Sequence, residues 1–170
     1  MKKEEVILVD KNDKKIGVEE KLKAHLLGKR HRAFSVFVFN DKGELLIQKR
    51  AKEKYHSGGL WANTCCSHPR PQEKLEQAVK RRLKEELGIS LKKIKKIGKI
   101  YYKSKIGTLT ENEIDHIFVA FWNGKPKINK KEVEKIKWIK LNDLKKEIKK
   151  NPEKFAVWLK IILKKIKTWK

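Results

Sequence analysis

The segment from Trp61 to Pro69, which reads WANTCCSHP, constrains this chain more than any other feature. It contains two adjacent cysteines and a histidine, side chains that can transfer protons or bind metals. The stretch from Glu73 to Leu87 then repeats apolar residues at helical spacing and stops before Gly88, which is typical of a helix end. The predicted apolar face of this helix consists of Leu75, Ala78, Val79, Leu83 and Leu87. The most reactive residues therefore come directly before an amphipathic helix.

Length and composition predict one soluble domain. The 170 residues favour a single domain spanning 1–170, long enough to bury a core. No apolar run approaches the roughly 20 residues that cross a bilayer, so we expect no membrane span. The start of the chain does not read as a signal peptide. Because the two cysteines are adjacent and cannot form an ordinary disulfide framework, we expect a cytoplasmic protein.

The chain is strongly basic, with 45 Lys and Arg against 21 Asp and Glu and a net charge of +24. A basic surface can attract nucleic acid, but the excess here is mostly lysine spread along the sequence. We interpret it as a solvated lysine surface and expect no nucleic-acid partner. An anionic small-molecule substrate would gain from this field.

The charged residues of the predicted helix resemble a Nudix box, G-x5-E-x7-R-E-U-x-E-E-x-G-U, in which U is a bulky apolar residue. With Glu73 aligned to the first Glu, the matching positions are Arg81, Leu83, Glu85, Glu86, Gly88 and Ile89. Two positions differ: Ser67 replaces the Gly and Arg82 replaces a Glu. The resemblance implies that this Glu would help to hold magnesium in a hydrolase. A guanidinium weakens such a cation site and can grip a diphosphate, so we interpret the chain as one that holds a diphosphate without cutting it.

Several separate blocks make the chain similar to type I isopentenyl diphosphate isomerase, a Nudix-fold enzyme, from about Val6 to Trp158. The blocks are Lys21…His25, His31–Ser35, Arg50–Ala51, Trp61–Pro69, the altered Nudix helix and Glu111–Glu113. The resemblance implies an isomerase that interconverts isopentenyl and dimethylallyl diphosphate. The expected fold is α+β, a Nudix-like mixed β-sheet sandwiched by helices in a single domain.

Local patterns predict the elements of that fold. Strands are predicted over 6–9, 33–39, 45–47, 97–103, 114–122 and 134–141, with a hairpin turn at 40–43. Helices are predicted over 18–27, 73–87, 143–149 and 153–167, and residues 51–59 are predicted to be a polar loop. We expect Asn142 to cap the third helix.

The resemblance also implies a metal site. His25, His31 and His68 match histidine ligands, and Glu111 and Glu113 match two carboxylate ligands. Three imidazoles and two carboxylates suit a six-coordinate Mg²⁺, Mn²⁺ or Zn²⁺. Each residue taken singly would be read as an ordinary surface group. His56 and His116 match no ligand and are interpreted as structural or incidental.

The resemblance assigns catalysis to Cys66 and Glu113. Isomerisation adds a proton to the terminal methylene, forms a tertiary carbocation and removes a proton from the next methylene. Which residue adds the proton and which removes it stays open. A tyrosine is expected to assist near Glu113, and of Tyr101 and Tyr102 we favour Tyr102.

Other matched residues would hold the substrate. Trp61 and Trp158 match aromatic groups that shield the cation, although core packing explains Trp158 nearly as well. The diphosphate-binding positions are Lys21, Arg50, Lys54 and Arg82, and Glu86 matches a carboxylate that helps Mg²⁺ to bridge to the substrate. An ordinary helical pair of Arg82 and Glu86 is the plain alternative.

Two other functions fit part of the sequence. A Nudix diphosphohydrolase acting on nucleotide diphosphate derivatives explains the helix but gives Cys66 and Glu113 no role. An RNA-binding module would use the charge but needs aromatic residues among the exposed basic ones. We expect a small isoprenoid diphosphate as the partner of a monomer or homodimer.

Overall fold

The computed structural model describes residues 3–169 and shows a mixed β-sheet with helices on both faces. Its strands are β1 (Glu5–Val9), β2 (Lys15–Glu20), β3 (His31–Phe39), β4 (Glu44–Arg50), β5 (Trp61–Ala62), β6 (Cys65–Ser67), β7 (Lys95–Ile106), β8 (Leu109–Phe121) and β9 (Val133–Lys140). Its helices are α1 (Lys21–Leu26), α2 (Leu75–Leu87), α3 (Leu141–Lys150) and α4 (Val157–Lys165), with a 3-10 turn at Pro152–Lys154. The α+β prediction is confirmed.

Strand β3 is the centre of the sheet. It pairs in parallel with β8 along its whole length and antiparallel with β1, β4 and β6. Strand β7 continues the sheet beyond β8, and β9 pairs with β4. The register places His31 beside Glu113 and Ser35 beside Cys66. The segments predicted to react are therefore held on neighbouring strands.

Alternating side chains of β3 and β8 build two cores on opposite faces of the sheet. Phe37 and Ile117 pack toward α3 and α4, whereas Phe34 and Phe118 pack toward α2. Cys66 packs on the first side and Cys65 on the second. This alternation confirms that helices sandwich the sheet. Among residues 3–169, no helix is long and apolar enough to cross a membrane.

Helix α2 has the predicted apolar face, with Ala78, Val79, Leu83 and Leu87 buried and Leu75 partly buried. It ends where predicted because Gly88 adopts a left-handed conformation with φ of 64° and its N–H bonds to the Lys84 carbonyl. Glu86 is also buried on this helix, which a surface charge pattern does not predict.

The start of the first helix was predicted wrongly. Residues 15–20 form β2 instead, because Val18 pairs with Ile7 in an antiparallel ladder against β1. Helix α1 begins at Lys21, and the Glu20 carboxylate accepts hydrogen bonds from the first free backbone N–H groups. A short alternating stretch before a capping carboxylate is hard to distinguish from helix by periodicity alone.

The predicted hairpin from β3 to β4 forms only at its turn, since Phe39 and Leu45 are the sole register pair. Beyond this pair Thr64 separates the strands: its hydroxyl accepts from the Val38 N–H and donates to the Leu46 carbonyl. The missed short strands β5 and β6 occupy the gap, and β4 pairs mainly with β9.

The C-terminal predictions also need correction. Asn142 does not cap α3, which begins at Leu141 with no side-chain cap. The last helix is not continuous from Glu153. Phe155 bridges to Trp61, and the Ala156 N–H donates to the Trp61 carbonyl at 2.8 Å, so α4 begins only at Val157.

Candidate functional site

One pocket collects most of the residues predicted to act. It opens on the sheet face that carries α4, where the apolar core gives way to polar side chains. Its predicted members are Lys21, Arg50, Lys54, Cys66, His68, Arg82, Tyr102, Glu111, Glu113 and Trp158. Residues from β4, β6, β7 and β8, from the segments after β4 and β6, and from α1, α2 and α4 therefore meet at one place.

Three histidines converge on one carboxylate oxygen at the floor of this pocket. Nε2 of His68 lies 2.9 Å from Glu113 Oε1, and Nε2 of His31 lies 3.1 Å from the same atom. His25 Nε2 lies 3.9 Å from it and 3.5 Å from Glu111 Oε2. Gly28, with φ of 60°, turns the chain between α1 and β3 and lets the His25 and His31 rings meet 4.6 Å apart.

The backbone fixes which ring nitrogens face the carboxylates. Nδ1 of His25 donates to the Lys21 carbonyl at 2.7 Å, and Nδ1 of His31 donates to the Lys29 carbonyl at 2.9 Å. In the neutral rings, both Nε2 atoms therefore carry lone pairs. Histidines that bind metals commonly donate their other N–H to a backbone carbonyl in this way.

Lone pairs that face carboxylate oxygens are repelled by them unless a proton or a metal ion lies between. His25 Nε2 and Glu111 Oε2 are buried without a hydrogen-bond partner in the part of the chain described here. The ligand atoms of His25, His31, His68 and Glu113 all lie within 4.8 Å of one another. The donor set fits one divalent metal ion, whose ligands would be imidazole nitrogens and carboxylate oxygens.

His56 also lies at this site, which the sequence analysis did not predict. Its Nε2 is 2.7 Å from Glu111 Oε1, and its Nδ1 is 3.2 Å from Arg50 Nη2. Of the two interpretations given for His56, structural or incidental, these contacts exclude the second. A histidine next to a predicted diphosphate-binding loop was the one signal available in the sequence.

Cys66 lies against Arg50 and the α4 side of the pocket. Arg50 Nη1 is 3.7 Å from the Cys66 sulfur, and its guanidinium carbon lies 5.2 Å from the centre of the Trp158 ring. Burial raises the pKa of the Cys66 thiol to about 12, and the Arg50 charge opposes this rise only in part. The thiol is consequently neutral in the free protein.

Polar residues of the Trp61–Pro69 segment hold this arrangement together. Asn63 accepts a hydrogen bond from Trp158 Nε1 at 3.1 Å and donates to the carbonyls of Val36 and Cys65. This bond fixes the indole that faces the pocket. Gln48 donates to the Thr64 carbonyl at 2.6 Å, which ties the same segment to β4. The residue types of the segment are thus explained by the shape of the site.

Tyr102, rather than Tyr101, contacts Glu113. The two residues are paired across β7 and β8, and the Tyr102 hydroxyl donates to Glu113 Oε2 at 2.8 Å. Tyr101 points away and is 45% exposed. Burial would raise the pKa of Glu113, but a hydrogen bond and positive charge at the His31 ring, as its imidazolium form would supply, lower it to about 2. Glu113 is therefore an ionised carboxylate that accepts a hydrogen bond from the Tyr102 hydroxyl.

The predicted diphosphate cations line the pocket, and all except Arg50 have carboxylate partners. Lys21 contacts Glu4 at 2.8 Å and Lys54 contacts Glu132. Arg82 binds Glu86 at 2.6 Å, with its other amino group 2.6 Å from Glu85. The expected alternative, an ordinary helical pair of Arg82 and Glu86, is thus present, although Arg82 also lines the pocket.

Four predicted residues lie apart from the pocket lining: His25 and His31, whose Nε2 atoms face Glu113, and also Trp61 and Glu86. Trp61 packs on the edge of the α4-side core beside Phe155. Glu86 accepts from Gln48 through one oxygen and from Arg82 through the other. The substrate-side Mg²⁺ expected at Glu86 therefore finds no unpaired oxygen there while these bonds persist.

Comparison with known proteins places this geometry in a family. The NUDIX domain family matches residues 29–159. An isopentenyl-diphosphate Delta-isomerase 2 of Aromatoleum aromaticum is 44% identical over 164 residues, covering 96% of this chain and 86% of the relative. An isopentenyl-diphosphate Delta-isomerase 2 of Photorhabdus laumondii is 47% identical, covering 93% of this chain and 89% of the relative.

Solved structures agree on the fold. The crystal structure of DR0079 from Deinococcus radiodurans superposes with a TM-score of 0.80 at 15% identity, covering 97% of this chain and all of that one. A MutT protein from Methanosarcina mazei gives a TM-score of 0.64 at 20% identity, covering 79% of this chain and 91% of that chain. The fold, the long matches to curated relatives and the converging site residues lead to one conclusion. This chain belongs to the Nudix family and, within it, to the isopentenyl-diphosphate Delta-isomerases.

Proposed function

We propose that this protein interconverts isopentenyl diphosphate and dimethylallyl diphosphate by moving a proton on and off the carbon chain. The observation that carries the proposal is the common pocket of Cys66 and Glu113. They extend from strands on either side of β3 and face the same side of the sheet. A 1,3-allylic shift needs an acid and a base around one carbon chain, and this pair supplies both.

The resting proton states suit this chemistry. The Cys66 thiol holds a proton because burial raises its pKa, and Glu113 is ionised but accepts the Tyr102 proton in a hydrogen bond. Since the reaction is reversible, a group that adds a proton in one direction removes it in the other. Cys66 and Glu113, assisted by Tyr102, can each take either part.

The pocket also suits a short-lived carbocation. Trp158 presents a π face held in place by Asn63, and the Glu113 carboxylate provides negative charge. Both groups are buried, so little water can reach a cation between them. We propose Trp158 as the shielding aromatic, and Trp61, which lies outside the lining, stays a prediction.

We propose that Lys21, Arg50, Lys54 and Arg82 hold the diphosphate. Carboxylate neighbours keep Lys21, Lys54 and Arg82 at the pocket before substrate arrives, and a diphosphate would exchange with those neighbours. The relatives named as isomerases support isomerisation over nucleotide diphosphate hydrolysis. Arg82 supports it separately, because it replaces the Nudix Glu that would hold a hydrolytic metal.

The metal proposal is one divalent ion, Mg²⁺, Mn²⁺ or Zn²⁺, held by His25, His31, His68, Glu111 and Glu113. When bound, it would supply positive charge that fixes the Glu113 carboxylate beside the substrate. A second Mg²⁺ would arrive with the diphosphate. We further propose a single 1–170 domain acting in the cytoplasm as a monomer or homodimer, with no nucleic-acid partner.

Proton NMR in deuterated water tests the function. Purified protein would be incubated with isopentenyl diphosphate and Mg²⁺. We expect dimethylallyl diphosphate to appear with solvent deuterium in it. Unchanged substrate beside folded, metal-loaded protein would contradict the proposal. Phosphate release from nucleotide diphosphate derivatives under the same conditions would favour a hydrolase instead.

A further inference from the structure

His56 connects the two halves of the site. The chain between β4 and β5 carries it into the pocket, where its ring lies 5.5 Å from the His25 ring and 5.9 Å from the Trp158 ring. One nitrogen faces Arg50 of the diphosphate side, and the other faces Glu111 of the metal side. Among residues 3–169, no other histidine contacts both the side chain of a predicted diphosphate cation and a predicted metal carboxylate.

The arginine decides which nitrogen of His56 carries the proton. A guanidinium has only donors, so Arg50 Nη2 must donate to His56 Nδ1 across 3.2 Å. Nδ1 is then an acceptor, and the proton of the neutral ring is on Nε2. That proton-bearing atom lies 2.7 Å from Glu111 Oε1. The contact is between a donor and a carboxylate oxygen.

The same tautomer argues against His56 as a metal ligand. A ligand nitrogen needs a lone pair, and Nε2 has none while Nδ1 accepts from Arg50. His25 and His31 show the opposite arrangement, because their Nδ1 protons go to backbone carbonyls and leave Nε2 free. His56 therefore differs in role from His25 and His31, although His25, His56 and Glu111 are close enough to hold an ion.

The loop backbone is shaped to present this ring. Ser57, directly after His56, has φ of 51°, a strained value for a residue other than glycine. Gly58 follows, and a Cβ there would come within 2.4 Å of the Lys52 carbonyl oxygen. The Arg50 N–H and C=O also bond to Leu60 and Gly59, which closes the loop. A tight loop of this kind fixes the direction in which His56 points.

We infer that His56 is a positioning residue that links Arg50 to Glu111, orienting the diphosphate-binding guanidinium and the metal-binding carboxylate together. The inference rests on the proposed function and deepens it. Removing the ring nitrogens would leave Glu111 Oε1 without this neighbour and Arg50 without an acceptor. Both metal affinity and substrate affinity should then fall.

Metal binding by the stripped protein tests the inference without relying on activity. Mn²⁺ would be titrated into metal-free wild type, His56→Phe and His56→Gln, with free Mn²⁺ followed by electron paramagnetic resonance. Phenylalanine keeps the ring but has no polar atom. The glutamine amide has an oxygen that can accept from Arg50 and an N–H that can donate to Glu111. His116→Gln is the matched control, because it changes a buried histidine on the opposite face of the sheet.

We expect His56→Phe to raise the Mn²⁺ dissociation constant by roughly 10- to 100-fold, as loss of such outer contacts generally does. His56→Gln should recover most of the affinity, and His116→Gln should match the wild type. In turnover, His56→Phe should also raise KM through Arg50. The Co²⁺ absorption bands of the Phe variant should keep their positions, because no ligand is lost.

Three results would overturn the inference. Equal Mn²⁺ affinity of His56→Phe and wild type would remove His56 from the metal side and leave the proposed function intact. Altered Co²⁺ bands in His56→Phe would make the residue a ligand instead of a positioning group. Wild-type protein that binds no Mn²⁺ would overturn the metal site and this inference together.

Discussion

A group of histidine and carboxylate side chains lies at each face of strand β8, and the charges around the two groups differ. On one face the ion-pair partners of Glu111 and Glu113, among residues 3–169, are all histidines. On the other face His116 lies 2.8 Å from Asp13, but Arg32 also holds Asp13. Glu111 and Glu113 therefore have no permanently charged side chain as an ion-pair partner in the described residues, whereas Asp13 is already paired with Arg32.

This difference shows why burial of histidine beside carboxylate does not identify a metal site. Lys99 lies 3.7 Å from Asp13, and Lys96 adds to the positive charge near His116. A metal ion there would meet fixed positive charge. At Glu113 a metal ion would supply the charge that is missing.

Replacing the central carboxylate should give the largest effect. Glu113→Gln removes both the charge that faces three imidazoles and the proposed proton-transfer group, so kcat should fall by about 1,000-fold or more. Asp13→Asn is the matched control, because asparagine tolerates the left-handed backbone found at Asp13. Its kcat should stay near wild type in the same isomerase assay. Comparable losses in both variants would mean that the two faces do not differ in function.

The adjacent cysteines give the next contrast. Cys66→Ala should lower kcat by about 100-fold or more while the substrate still binds, because the proton carrier is lost. Cys65 faces the α2-side core, so Cys65→Ala should cost about 1–2 kcal/mol of stability and leave kcat little changed. Thermal unfolding and turnover would be measured for both variants. An inactive Cys65→Ala beside an active Cys66→Ala would reverse the assignment.

Arg82 tests whether a side chain with partners can still have a function. Like Asp13, it has opposite charges beside it, yet it lines the pocket. Arg82→Glu should raise KM by roughly 10- to 100-fold, since a charge-assisted contact to diphosphate is replaced by repulsion. The KM of Arg82→Lys should lie between those of the wild type and Arg82→Glu. An unchanged KM in Arg82→Glu would remove Arg82 from the diphosphate site.

The smallest expected effect concerns His116. Burial, with help from Lys96, lowers its pKa to about 4 from the ordinary value of 6.5. Below pH 6.5 His116 is protonated in the unfolded chain but not in the folded protein. The free energy of unfolding therefore falls as the pH is lowered from 6.5 to about 4. We expect this loss to be on the order of 1 kcal/mol after solvent screening of the neighbouring charges.

Urea unfolding of wild type and His116→Gln between pH 7 and pH 4 would measure the effect. The variant should lose less stability across this window, since it has no imidazole to titrate. Parallel curves would show that His116 does not contribute.

The sequence predicted the parts of the fold that periodicity and end signals determine. Helix α2 and the α4-side and α2-side faces of β3 follow from regular apolar spacing. The short strands β5 and β6 have no period to detect. Their position depends on Thr64, which bonds to β3 and β4 at once, a contact between distant segments.

The same distinction applies to the site. The side chains of Cys66, Glu113 and Tyr102 were chosen by resemblance, and their meeting depends on strand register across β3, β7 and β8. His56 was missed because its partners, Arg50 and Glu111, are brought to it by tertiary folding. The tautomers of His25 and His31 likewise depend on backbone carbonyls whose positions could not be predicted from the sequence.

The most direct test of the metal-holding cluster is equilibrium dialysis of metal-stripped protein against Zn²⁺, with His31→Gln and His116→Gln in parallel. Both variants replace a buried histidine. His31 lies on β3 beside Glu113, and His116 lies on the opposite face of β8. The account predicts one tightly bound ion per chain in wild type and in His116→Gln, and a much weaker site in His31→Gln. Equal retention by His31→Gln and wild type, or loss of the ion in His116→Gln, would contradict it.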